Sequence, residues 1–234
     1  MIERAGRTII CSVVFIDIVG YSKTSDSRQL AMKTRLNELL AQAMGGVAES
    51  ERLILDTGDG AALCFLGDPE DALFVATAVN DAVKSEAGDA TQVLRIGINL
   101  GPIKVVTDLN GQPNAVGDGI NVAQRIMSFA GENEILVSRS YYEVVARLSE
   151  GNERLFRYLG IKKDKHVREH HLYAFGLTGC DAPSVADPGT DSASGTEAPA
   201  ARPRDSATEP LARISHRTNL RGLFFGFGRP SLAL

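Results

Sequence analysis

The chain has 234 residues, 44% of them hydrophobic and 23% charged, a balance that suits one domain with a sizeable core plus extra segments. A formal net charge of -4 argues against a general nucleic-acid binder, which would carry a basic surface, but not against an enzyme acting on a nucleotide, because one triphosphate needs only a few local cations. Cys11, Cys64 and Cys180 form no CxxC or Cys/His cluster, no secretory leader is read at the N-terminus and no apolar run approaches the roughly 20 residues of a membrane span, so a cytoplasmic protein with neither a disulfide framework nor a zinc site is expected.

Ile9 to Ile16 is a β-rich apolar run and reads as a buried central strand. It ends at Asp17, and Val19-Gly20-Tyr21-Ser22 forms a turn. From Gln29 to Met44, apolar residues recur at helical spacing (Met32, Leu36, Leu39, Leu40, Ala43), and Gly45-Gly46 stops that helix. Arg52 to Leu55 and Ala61 to Leu66 are short strands joined by the tight turn Asp56-Thr57-Gly58-Asp59-Gly60. Asp68-Pro69 opens a second helix as N-cap and first helical residue, with Leu73, Ala76, Val79 and Val83 facing inward. Leu94 to Leu100 is a strand, Gly101-Pro102 turns or kinks the chain, and Ile103 to Thr107 continues extended. A loop with Asn110-Gly111 and Pro113 leads to a helix from Asp118, its N-cap, to Ala130. A strand at Ile135 to Val137, a helix at Arg139 to Leu148, and strands at Leu155 to Ile161 and Glu169 to Phe175 complete the pattern. This order predicts an α+β fold of the ferredoxin-like, split βαβ kind.

Residues 1–176 are therefore read as one domain. Residues 177–213 are dominated by Pro, Ala, Ser, Thr, Gly and Asp and read as a disordered linker. Residues 214–234 form a short basic and aromatic tail, with Leu223-Phe224-Phe225-Gly226-Phe227 flanked by Arg217, Arg221 and Arg229. The plain reading of that tail is an unstructured end; the sharper one is a docking segment for a partner or a membrane surface.

Several residues invite a chemical reading, although each has a plain structural one. Asp17 ends an apolar strand, where a carboxylate is costly unless paired or bound to metal; otherwise it is a turn or capping residue. Asp59 lies in a Gly-Asp-Gly turn that a split βαβ sheet would set beside the first strand. Two carboxylates and a backbone carbonyl, such as that of Ile18, suit magnesium or manganese, and two such ions can clamp an in-line phosphoryl displacement. The amides of Ile18, Val19, Gly20, Tyr21 and Ser22 suggest an anion-binding nest. Asn121 and Arg125, four apart, share one helix face, and a guanidinium matches phosphate geometry; the plain alternative is a solvated polar face.

Taken together, the segments Phe15-Ile16-Asp17-Ile18-Val19-Gly20-Tyr21-Ser22, Gly58-Asp59-Gly60, Leu94-Arg95-Ile96-Gly97-Ile98-Asn99-Leu100-Gly101-Pro102 and Gly117-Asp118-Gly119-Ile120-Asn121-Val122-Ala123-Gln124-Arg125 resemble class III adenylate and guanylate cyclases. The resemblance implies that Asp17, Asp59 and the Ile18 carbonyl hold two divalent ions, Mn2+ or Mg2+. It implies further that Arg95 and the turn from Val19 to Ser22 hold the phosphates of a nucleoside triphosphate, that Asn121 orients the ribose and that Arg125 stabilises charge on the α-phosphate. It also implies a head-to-tail homodimer in which one protomer gives the metal ligands and the other gives Asn121 and Arg125.

The base pocket that the resemblance places around Phe15, Leu55 and Asn114 departs from the pattern. Adenylate cyclases of the family usually carry a Lys where Leu55 stands and an Asp where Asn114 stands. A site built to hydrogen-bond one base edge strongly rejects others, so a rewritten pocket implies a different base or poor discrimination. In this respect the chain is similar to the bacterial pyrimidine cyclases of the Pycsar antiphage systems, with UTP favoured over CTP. Two alternatives stay open: an adenylate cyclase with a divergent pocket, and a non-catalytic, cyclase-like binding module.

Overall fold

The computed structural model describes residues 7–86 and 92–176. They fall within the first of the two units into which the chain divides, Met1–Thr178; the second, Gly179–Leu234, lies outside the described residues, as do the whole linker and tail read from the sequence.

The elements follow in the order β1 (Thr8–Ile18), α1 (Asp26–Ala43), β2 (Arg52–Asp56), β3 (Gly60–Phe65), α2 (Pro69–Ser85), β4 (Leu94–Thr107), β5 (Pro113–Val116), α3 (Asp118–Ser128), β6 (Glu134–Ser138), α4 (Arg139–Val145), β7 (Phe156–Lys163) and β8 (Glu169–Phe175). The strands form one sheet in the order β2-β3-β1-β4-β6-β8-β7, with β5 paired to the end of β4. All pairings are antiparallel except β4 with β6. This is the expected α+β architecture. Among the described residues, no helix is long and apolar enough to cross a membrane.

Side chains alternate across the sheet, as strand geometry requires. On one face Val14, Ile16 and Ile18 of β1, Leu63 of β3 and Ile96 and Ile98 of β4 join α1, α2 and Tyr141 of α4 in the main core. The predicted inner residues of α1 and α2 are buried here: Met32, Leu36, Leu39 and Leu40, then Leu73, Ala76, Val79 and Val83. On the other face Cys11, Val13, Phe15 and Cys64 pack with Ala123 and Met127 of α3. Val122 and Ile126 of α3 turn the other way, onto Leu136, Leu172 and Ala174 of β6 and β8. Thus α3 straddles two apolar clusters and is fixed in rotation about its axis.

Three expectations need correction. Gly101-Pro102 does not interrupt the chain: β4 runs unbroken through it, with Ile10 opposite Pro102. Pro102 lies where, on the side away from β1, neither β6 (which pairs up to Ile98) nor β5 (which pairs from Lys104) runs alongside. A residue lacking an N–H is tolerated at such an edge. The loop before α3 contains a four-residue strand, β5, paired with Lys104 to Thr107. Finally, Asp118 is the first residue of α3; Gly117, at a φ of 148° that favours glycine, is the N-cap.

Candidate active site

Asp17 is the last member of the row Cys11, Val13, Phe15 and Asp17 on the α3 side of β1. It lies opposite Gly60 of β3 on one flank and Arg95 of β4 on the other. The β2–β3 turn is built to bring Asp59 to the same place. Asp56 accepts the Gly58 N–H at 2.7 Å, and Gly58 takes a left-handed φ of 84°. A Cβ on Gly60 would stand 1.9 Å from the Ile16 carbonyl oxygen, so only glycine lets β3 approach β1 this closely. The Asp59 carbonyl then accepts the Ile18 N–H at 3.1 Å. From α1, Lys33 ties the turn down: its Nζ donates to the Gly60 carbonyl at 2.5 Å and pairs with Asp56 at 3.0 Å.

Asp17 is only 8% exposed. Its carboxyl is raised above the ordinary carboxylate range, chiefly by burial and further by Asp59; hydrogen bonds and charge from Arg95 oppose the rise. The Arg95 Nε donates to Asp17 Oδ2 at 3.1 Å, and Nη2 donates to the same oxygen. Two neighbouring carboxylates, one buried, carry more negative charge than one half-exposed guanidinium offsets. With the backbone of Ile18 between them, this oxygen-donor set fits hard divalent ions. The structure thus brings together Asp17, Ile18, Asp59 and Arg95, and adds that Arg95 holds Asp17.

The phosphate cradle read at residues 18–22 is narrower than expected. The N–H of Ile18 is spent on Asp59, and that of Val19 on the Val93 carbonyl at 2.8 Å. Gly20 is left-handed (φ 75°) and caps a 3-10 turn, Tyr21–Lys23. Its open end leaves Gly20, Tyr21 and Ser22 as the residues suited to an anion.

Asn121 and Arg125 lie on the outer face of α3, Asn121 exposed and Arg125 partly buried. Their placement depends on how closely α3 lies on β4. A Cβ on Gly97 would meet the Met127 backbone nitrogen at 2.2 Å, and one on Gly101 would meet the Gly119 Cα at 3.0 Å. Buried Asn99 of β4 donates to the Gly119 carbonyl at 3.0 Å and accepts from Ser140 at 3.1 Å, fastening the start of the helix. Arg125 Nε lies 3.8 Å from Asp164 Oδ2, and Asp118 forms a two-oxygen pair with Arg168 at 2.9 Å. Asp164, in the β7–β8 turn, escaped the sequence reading. Its only signal there is an Asp opening a five-residue turn between two strand-like runs. His170 first, then the backbone N–H groups of Arg168 and His166, hold its carboxyl down at about 2 against the effect of desolvation.

Of the residues assigned to the base pocket, Phe15 and Leu55 share the α3 side of the sheet, whereas Asn114 adjoins Ala115, which packs on that side, and so takes the alternate position of β5. Leu55 is opposite Ala62, which is opposite Phe15 on its other flank. Leu55 and Ile120 pack against the cluster containing Phe15. Asn114 stands on β5 opposite Val106, and its side-chain oxygen accepts the Ala115 N–H at 2.7 Å. The nearby β2 and β5 thus carry Leu55 and Asn114 respectively.

This sheet, with three helices on one face and α3 on the other, is the fold of class III nucleotide cyclase catalytic domains. The guanylate cyclase domain of RhGC from Catenaria anguillulae, solved with GTP, is similar with a TM-score of 0.59 and 23% identity, over 73% of this chain and 98% of that one. The adenylyl cyclase CyaB from P. aeruginosa is similar with a TM-score of 0.58 and 19% identity, over 76% of this chain and 98% of that one. In sequence, the chain is 29% identical over 153 residues to a putative adenylate cyclase 3 of Rhizobium meliloti, covering 62% of this chain and 25% of the relative. It is also 29% identical over 149 residues to the aggregation-specific adenylate cyclase of Dictyostelium discoideum, covering 58% of this chain and 10% of the relative. The chain therefore spans a quarter or less of the length of these curated relatives. No protein-family profile matches it.

Proposed function

We propose that the chain is a nucleotide cyclase that converts a ribonucleoside triphosphate to its 3′,5′-cyclic monophosphate and pyrophosphate. The observation that carries this reading is the convergence of Asp17, Asp59 and Arg95 at one spot beside a glycine-containing turn. Asp17, Asp59 and the Ile18 carbonyl would hold two divalent ions, magnesium or manganese, which when bound supply Lewis acidity to the 3′-hydroxyl and the leaving pyrophosphate. Arg95 turns from Asp17 toward the β- and γ-phosphates, and Gly20 to Ser22 offer amides to them. Asn121 orients the ribose so that its 3′-oxygen faces the α-phosphorus. Arg125 meets the charge that grows there as the new P–O bond forms and the bond to the β-phosphate oxygen breaks. Losing one such preorganised donor costs about 10²–10³ in rate. In this reading two protomers pair head to tail, one giving the ion ligands and the other giving Asn121 and Arg125.

The substrate we infer is a pyrimidine triphosphate, UTP ahead of CTP, whose cyclic product serves as a messenger in antiviral defence. Its support is chemical: Leu55 offers no hydrogen bond, and Asn114 carries no charge. A second reading, cyclic AMP synthesis, is favoured by the adenylate cyclase names of the two curated relatives. Incubation of the protein with manganese and each of ATP, GTP, CTP and UTP, with the products identified by mass, decides between them. Cyclic UMP, or cyclic CMP, is the expected main product. Cyclic AMP alone would overturn the pyrimidine assignment, and no product from any triphosphate would favour a non-catalytic module.

A further inference from the structure

The turn between β7 and β8 is more constrained than a connecting loop needs. Val167, a β-branched residue, is held at φ 64°, a left-handed conformation such residues rarely adopt. Strain of this kind persists only where the surroundings over-determine it. Here the surroundings are Asp164. One carboxylate oxygen, Oδ1, accepts the N–H groups of His166 at 2.8 Å and Arg168 at 3.0 Å, while the backbone closes with Asp164 N–H to the Arg168 carbonyl at 3.0 Å. The other oxygen, Oδ2, takes no part in the turn. It accepts from His170 Nε2 at 3.1 Å and faces Arg125 Nε at 3.8 Å. The Asp164 side chain is 6% exposed and that of His170 4%.

The same turn reaches α3 twice. Arg168 pairs with Asp118 and Asp164 faces Arg125, two residues seven apart on α3. Seven residues are about two helical turns, and Asn121 lies between them. The turn therefore brackets the helix face that carries both Asn121 and Arg125. The 3.8 Å separation matters as well. It is an ion pair too long for a hydrogen bond, so it orients the guanidinium without using up the N–H donors that a phosphate would accept.

We infer that Asp164 is a positioning residue for Arg125: the β7–β8 turn presents its Oδ2, anchored by His170, to hold the Arg125 guanidinium in place for the α-phosphate. The inference rests on the role proposed above for Arg125. Buried and fully engaged, Asp164 does not itself reach substrate.

The division of labour between the two oxygens supplies the test. Asp164→Asn keeps an oxygen for the turn and replaces Oδ2 by an amide nitrogen, removing the charge that faces Arg125. Asp164→Ala removes the turn bonds too. With the full chain, manganese and whichever of the four triphosphates it converts, Asp164→Asn should lower kcat about 10- to 100-fold, the scale of a misplaced catalytic group, with KM close to the parent's and a fall in melting temperature no larger with Arg125 present than without it, because the amide nitrogen cannot accept the His170 N–H in either case. Asp164→Glu should recover part of the loss. Arg125→Ala alone should lower kcat by at least as much, and Asp164→Asn added to it should slow the reaction little further. An unchanged kcat in Asp164→Asn overturns the inference. So does an equal loss from Asp164→Asn with and without Arg125, which marks a purely structural residue. If Asp164→Asn does not fold, Asp164→Ser, whose hydroxyl can still accept a turn N–H but carries no charge toward Arg125, takes its place in the same cycle and the same two outcomes count against the inference. A kcat unaffected by Arg125→Ala would instead remove the role of Arg125 itself.

Discussion

At the scale of single residues, Asp17 shows how a site is held before its ligands arrive. A carboxylate 8% exposed, with a second carboxylate beside it, depends on Arg95 for compensation. Removing one partner of a buried pair leaves an uncompensated charge; Arg95 is about a third exposed, so screening reduces the cost to about 1–2 kcal/mol. Arg95→Ala should accordingly lower the melting temperature of the metal-free protein. Manganese should restore more of that loss in Arg95→Ala than it adds to the parent, because the ion supplies the missing positive charge. Calorimetry with and without manganese checks this, and equal shifts in both proteins would contradict it. Asp17 and Asp59 were legible in the sequence because each stands where a structural reading is awkward, one ending an apolar run and the other between two glycines. The pairing of Arg95 with Asp17 was not legible: it depends on strand register, which places the two opposite each other on β4 and β1. The same applies to Asp164, whose partner Arg125 lies on a separate element.

At the scale of elements, the β2–β3 hairpin acts as a unit because of three contacts. Gly58 supplies the left-handed turn, Gly60 allows the close approach to β1, and Lys33 of α1 anchors both Asp56 and the Gly60 carbonyl. Lys33 is mostly buried on this duty, and the carboxyl of Asp56 is held below its ordinary range by the Gly58 N–H and Lys33 against its own desolvation. Lys33→Ala should leave the core intact and loosen the hairpin. We expect kcat to fall about tenfold, or about 1.4 kcal/mol, and half-saturation to need more manganese. A titration of activity against manganese at saturating triphosphate measures both, and a parental curve would show that the hairpin holds Asp59 unaided. Periodicity found the long elements well. It missed β5, four residues with turn-like composition that pair only because β4 runs past Pro102. It also set the cap of α3 one place too late, at Asp118 instead of Gly117.

At the scale of the whole molecule, the two halves of the proposed site occupy different parts of the sheet. Asp17 belongs to the interior strand β1 and Asp59 to the β2–β3 turn beside it. Arg125 is tied by Asp164 to β7 and β8, at one edge of the sheet. A site assembled across a dimer accounts for that separation. Proteins carrying Asp17→Ala or Arg125→Ala should each be nearly inactive alone. Mixed and allowed to exchange protomers, they should regain activity, because the heterodimer contains one site with both halves intact; at equal mixing half the dimers are of this kind. Mixtures that form dimers yet stay inactive would place all the groups in one protomer.

The position of Leu55 and Asn114 has a consequence for the cost of substitution. Leu55 stands on β2, the edge strand, and Asn114 on β5, which is attached only at the end of β4. The proposed ion ligands and Arg95 stand on interior strands and a glycine-locked turn, and Asn121 and Arg125 on a helix pressed against β4 at Gly97. Mutation at the periphery disturbs few neighbours, whereas mutation at the centre disturbs many. In the proposed reading, substitutions that alter nucleobase preference should therefore cost less stability than substitutions at the cyclising residues.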